Sequence, residues 1–156
     1  MNTLLSLMVV ASFSLSDSTT KMNIPPDREG LLNGEGMGLA AYAEMNGYPG
    51  PKHVIDLKDQ LGLTQDQLRK TETIMKGVQV SAKLAGEEIV KEEEELNKLF
   101  EAEKINEKLL RARLDRIAKL RGELRFIHMQ AHVKMKTILS TNQVQRYNEL
   151  RQHGDH

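Results

Sequence analysis

Leu63-Thr64-Gln65-Asp66-Gln67-Leu68 opens a run that continues to about Glu101 without a proline, and only Gly77 and Gly86 interrupt it. The opening is the sequence of a capping box. Thr64 at the N-cap can accept from the N3 amide, Gln67 at N3 can bond back to the cap amide, and Leu63 and Leu68 can pack as a staple. Leu139-Ser140-Thr141-Asn142-Gln143-Val144 repeats the device near the other end of the chain. Inside the run, Leu68, Met75, Ala82, Ile89 and Leu96 recur at seven-residue steps, with a second row of Val78, Ala85 and Leu99 broken by Glu92. A second series follows: Leu110, Ile117, Leu124, Ala131 and Ile138, flanked by Leu114, Leu120, Ile127 and Met135. Its start is marked by Asn106 as N-cap, Glu107 in the first turn and an Ile105–Leu110 staple. Seven-residue steps are the coiled-coil spacing. They predict two long helices joined by a tight connection near Ala102–Ile105, and so short a connection makes them antiparallel.

Charge agrees with that pairing. Glu87 to Glu103 carries eight Glu against two Lys, while Lys108 to Lys136 carries nine Lys or Arg against Asp115 and Glu123. Folding the hairpin at residues 103–105 lays Glu92–Glu95 beside Arg113 and Arg116. Short helices are expected before the hairpin, from Leu39 to Asn46 and from Pro51 to Leu61, with Gly47 and Gly62 as their stops. A last short helix runs from the second capping box to about Gln152. The expected fold class is therefore all-α: a long antiparallel helical hairpin with short N-terminal helices and a short C-terminal helix, spanning residues 39–152. Residues 17–38, rich in Ser, Thr, Gly and Pro, read as a disordered linker, and residues 153–156 as a tail. Two helices alone leave much of their apolar stripe wet, so a second copy of the chain is expected to cover the remainder in a homodimer.

Composition removes several classes of function. Lys+Arg and Asp+Glu both number 22, so the formal net charge is zero and gives no long-range attraction to nucleic acid. Aromatics are 4% with no Trp, which leaves little to stack on bases. There is no cysteine, hence no disulfide, thiolate metal site or cysteine nucleophile. No nucleophilic triad, P-loop, dinucleotide fingerprint or H-E-x-x-H is present, and the carboxylates lie in a solvated run among counter-charges, so a non-enzymatic role is expected. Leu4 to Leu15 is apolar, too short to span a bilayer comfortably, and similar to the core of a secretory signal peptide over residues 1–16. No Lys or Arg precedes it. An uncleaved N-terminal membrane anchor is the alternative.

The paired L-[ST]-x-x-Q segments, Leu63–Gln67 and Leu139–Gln143, resemble those of the LTxxQ family of small periplasmic proteins. That family includes Spy- and CpxP-type stress chaperones and, more distantly, ZraP- and CnrX-type heavy-metal resistance and sensor proteins. The resemblance covers roughly Gly38 to Arg151. It implies a helical, antiparallel, dimeric protein of the periplasm without enzymatic activity. Such a protein holds unfolded clients on a helical cradle, or binds a metal and signals to a membrane partner. In CnrX-type members, histidines of an N-terminal segment join a His and a Met on a long helix. Here His128 is followed four residues on by His132, and the N-terminal histidines are reduced to His53.

His128 and His132, spaced i, i+4 on one helix, can both reach one metal ion. Met135 lies one turn beyond His132 and offers a thioether to a soft ion such as copper, whereas zinc or nickel would use the imidazoles. Further ligands would come from His53, Glu44 or a dimer mate. The alternative is that the histidines are structural. Met75 and Met129 read as soft helix packing or client surface. His153 and His156 in the tail read as adventitious ligands. Thr64, Gln67, Ser140 and Gln143 read as structural caps that lie close together at the open end of the hairpin.

Overall fold

A computed structural model describes residues 24–152, and every regular element among them is helical. The elements are α1 (Arg28–Asn33), α2 (Ala41–Met45), α3 (Pro51–Asp56), α4 (Gln65–Glu101), α5 (Glu107–Ile138) and α6 (Thr141–Gln152). The proposed signal peptide, the tail histidines and the first part of the linker lie outside the described residues.

The hairpin forms as its caps and periodicity dictate. Gln67 N donates to Thr64 Oγ1 at 3.2 Å and Thr64 N donates to Gln67 Oε1 at 3.0 Å, a complete capping box. Asn106 Oδ1 accepts from Leu109 N at 3.0 Å and starts α5. Between them the chain reverses through Glu103, whose φ of 53° lies in the left-handed region. At about 1.5 Å per residue the two helices are on the order of 50 Å long. Glu92, which breaks the apolar row, is mostly buried and takes Arg113 at 2.9 Å and Arg116 at 3.6 Å. The polar interruption is thus filled by a charge cluster between the helices. These pairs set the register: residue 92 lies beside 113, and Gln67 beside Ile138, whose carbonyl accepts from Gln67 Nε2 at 3.0 Å.

The two capping boxes interlock. Gln67 Nε2 donates to Gln143 Oε1 at 2.8 Å, and Gln143 Nε2 donates to Gln67 Oε1 at 3.0 Å and to the Leu61 carbonyl at 3.2 Å. Each glutamine side chain therefore caps its own helix and clasps the other's. The clasp closes the open end of the hairpin over an apolar cluster of Val54, Leu61, Met135, Leu139 and Tyr147. A second cluster, Leu31, Ala82, Ile89, Val90, Leu120 and Leu124, lies further toward the turn.

Leu31 belongs to the stretch read as a disordered linker, and the structure corrects that reading for residues 24–38. α1 lies across α4, and Leu31 is fully buried. The close approach is possible because residue 86 is glycine: a Cβ there would overlap the Leu31 carbonyl. Charge holds the ends of the segment. Arg121 donates to Asp27 at 2.7 and 3.2 Å and to Glu93 at 3.2 Å, and Arg28 meets Glu94 at 2.6 Å. The short helices are also shorter than their sequence suggests, α3 giving way to turns after Asp56 on its way to Leu61.

A histidine-lined cavity between the N-terminal helices and the hairpin

Between the two apolar clusters the N-terminal segments stand off the hairpin and leave a cavity of about 380 Å³. The α1–α2 loop walls it on one side and the start of α3 on another. α4 contributes Met75, Val78 and Gln79, and α5 contributes His128, Ala131 and His132. His53 and Glu44 sit at its rim.

The i, i+4 spacing puts both α5 histidines on one cavity wall. His132 is held from behind. Its Nδ1 lies 2.9 Å from the Tyr48 carbonyl, which can only accept, so Nδ1 carries the proton and Nε2 is left with a lone pair. Nε2 faces Gly50: a Cβ on that residue would stand 2.8 Å from Cε1 and 3.4 Å from Nε2 of His132. Gly50 is itself positioned by Pro51 in the first turn of α3 and by Tyr147 of α6, whose hydroxyl accepts from Gly50 N at 3.4 Å. Lys136 stacks 3.9 Å above the Tyr48 ring and steadies the same loop. His128 is only 8% exposed, its Nδ1 side abuts Gly36, and its Nε2 is buried with no hydrogen-bond partner.

Electrostatics favours the neutral form of His128 and of His53. Burial pushes the His128 imidazole below its ordinary value, and the neighbouring His132 pushes it the same way. Burial also lowers His53, with Arg151 adding to the effect, although Glu44 lies 3.7 Å from His53 Nε2 and pulls the other way. Neutral imidazole is the form that ligates metal.

Met135 is the exception among the proposed ligands. Its side chain is fully buried in the apolar cluster at the open end of the hairpin and does not line the cavity. It stands one turn along α5 and about 60° round the axis from His132, where it packs against Val54 of α3 instead. His53 and Glu44 form a pair of their own at the rim. Among the described residues, no three His, Asp or Glu side chains gather closely enough to hold an ion by themselves. An orphaned buried nitrogen beside an imidazole oriented by a backbone carbonyl is nevertheless a donor set that fits a borderline or soft metal, and the carbonyl contact is the usual support of a metal-ligating histidine. Sequence reasoning missed Met75, Tyr48 and Gly50. Met75 was within reach of the hairpin register. The other two depend on the path of the loop before α3.

A model of the heavy-metal resistance family matches residues 31–146, well over half of the chain. The matched span starts inside α1, ends in α6 and takes in the whole cavity. No curated protein and no solved structure matches.

Proposed function

The chain belongs to the heavy-metal resistance family, and from that premise we propose that it is a non-enzymatic protein of the cell envelope which holds a metal ion in the cavity between its N-terminal helices and its hairpin. His132 and His128 are the primary ligands, with His53 and Glu44 at the entrance able to complete or relay the coordination. The observation that carries this is the buried, unpartnered Nε2 of His128 beside a His132 already fixed in the ligating tautomer. A buried polar atom without a partner costs roughly 1–3 kcal/mol, and a bound ion removes that cost. Zinc, copper and nickel all accept imidazole. Titration calorimetry with each metal on the wild type and on a His128→Ala/His132→Ala double variant tests the assignment. Binding lost in the double variant is expected, and equal affinity in both proteins overturns it.

The place of action is the periplasm, reached by export through residues 1–16 or with those residues kept as an anchor. Among the described residues no helix is long and apolar enough to cross a membrane. A second reading, chaperoning of unfolded chains, is favoured by the apolar side chains that the two long helices leave exposed: Val80, Leu84, Phe126 and Val133. The sensor alternative draws on the fact that the α1–α2 loop is part of the cavity wall. An ion that tightens that wall would alter the surface shown to a membrane signalling partner.

A further inference from the structure

We infer that Met75 supplies a third, thioether ligand and makes the cavity selective for a soft monovalent ion, Cu(I), over zinc and nickel; the inference rests on the metal-holding function proposed above. The register of the hairpin places it. Residue 92 lies beside 113 and residue 67 beside 138, so position 75 falls level with position 130, midway between His128 and His132. Met75 lines the same cavity as both histidines. It sits on the opposite helix, which is where a third ligand must stand if two come from one face of α5. Among the described residues no three His, Asp or Glu gather closely enough to hold an ion, and His53 and Glu44 pair with each other at the rim, so the donor that α4 sets across from the two histidines is this sulfur.

The chemistry then discriminates between metals. A thioether is a weak, soft ligand that adds little to zinc or nickel and much to Cu(I). Cu(I) is satisfied by two imidazoles and one sulfur in a low-coordinate site, and an apolar wall of Val78 and Ala131 suits an ion of single charge. Met135, the other methionine of this region, is sealed in the core and has no part in it.

The test is competition for Cu(I) against bicinchoninate under anaerobic, reducing conditions, set beside zinc titration of the same proteins. Loss of even an outer partner of a metal ligand costs about 10–100-fold in affinity, so Met75→Leu is expected to weaken Cu(I) by at least ~10-fold. It should change zinc affinity by less than about 2-fold. Met135→Leu, equally conservative in volume, is expected to change neither. X-ray absorption at the copper edge is expected to show a sulfur neighbour that Met75→Leu removes. Unchanged Cu(I) affinity in Met75→Leu overturns the inference and leaves the histidine site standing, and so does an equal loss of Cu(I) and zinc, which marks Met75 as packing. A wild type that binds neither ion overturns the proposed function as well.

Discussion

At the scale of the residue, His128 is the most demanding side chain in the molecule. It is buried, it lacks a partner for Nε2, and its neighbours oppose its protonation. The consequence for stability has a definite sign. The folded chain holds the His128 proton less tightly than the unfolded chain does, so acid favours unfolding. The stability of the metal-free protein should be fully present above the ordinary histidine value of about 6.5 and fall as pH drops below it. His53, lowered in the same direction, adds to the slope. Thermal unfolding followed between about pH 7.5 and 5, above the carboxylate range, should show Tm falling with pH in the wild type. The fall should be shallower in His128→Leu. An unchanged slope in that variant would mean that His128 reaches water. The histidine pair was legible in the sequence because i, i+4 spacing is a local fact. Met75 takes a longer step, because what makes it a neighbour of His128 is the register of the two helices, which brings together residues more than fifty positions apart.

Elements differ in how much of their cause is local. α4 and α5 carry their own caps, periodicity and length, and each could be read where it stands. α1 could not. Six residues, Arg-Glu-Gly-Leu-Leu-Asn, are too few to hold a helix alone, and nothing within them predicts order. Their order comes from outside: a glycine at position 86 that lets the Leu31 backbone approach, and carboxylate–guanidinium pairs to Arg121 and Glu94. This makes Gly86 a sharp test. In an exposed helix interior, Gly→Ala stabilises by roughly 0.5–1 kcal/mol. Here the added methyl meets a backbone carbonyl that cannot rotate aside, and overpacking of that kind costs about 1–3 kcal/mol. Gly86→Ala is therefore expected to lower stability in denaturant unfolding and to expose the α1–α2 loop to limited proteolysis near residues 34–38. A variant as stable as the wild type, with that loop still protected, would mean that α1 is not docked through this contact. Because the same loop walls the cavity, undocking it should also weaken metal binding.

As a whole, the molecule is a two-helix layer with two sides, and among the described residues only one of them is covered. α1, α2 and α3 lie over the side that holds the histidines. On the other side a groove runs between the long helices, lined by Ile74, Gly77, Ser81, Ile127, Gln130 and Lys134. At about 100° per residue, Val80 and Leu84 of α4 and Phe126 and Val133 of α5 flank this groove on its outer edges. They are between 54% and 63% exposed. Four large apolar side chains more than half exposed on the outer edges of the two long helices, with a groove between them, offer apolar footing for a partner. Glycine at 77 and serine at 81 keep the groove open for a close approach. A second copy of the chain is the simplest cover, since it brings the same apolar edges and a closed two-fold contact. The expected outcome is a dimer by light scattering after gel filtration, converted to a monomer by Phe126→Glu/Val133→Glu. Metal affinity should be unchanged in that variant, because neither substituted residue lines the cavity. If the wild type instead runs as a monomer, the face is free for extended apolar segments of other chains, and the same double substitution should then abolish suppression of a denatured client's aggregation. Either result separates what the molecule binds on its bare side from what it holds among its histidines.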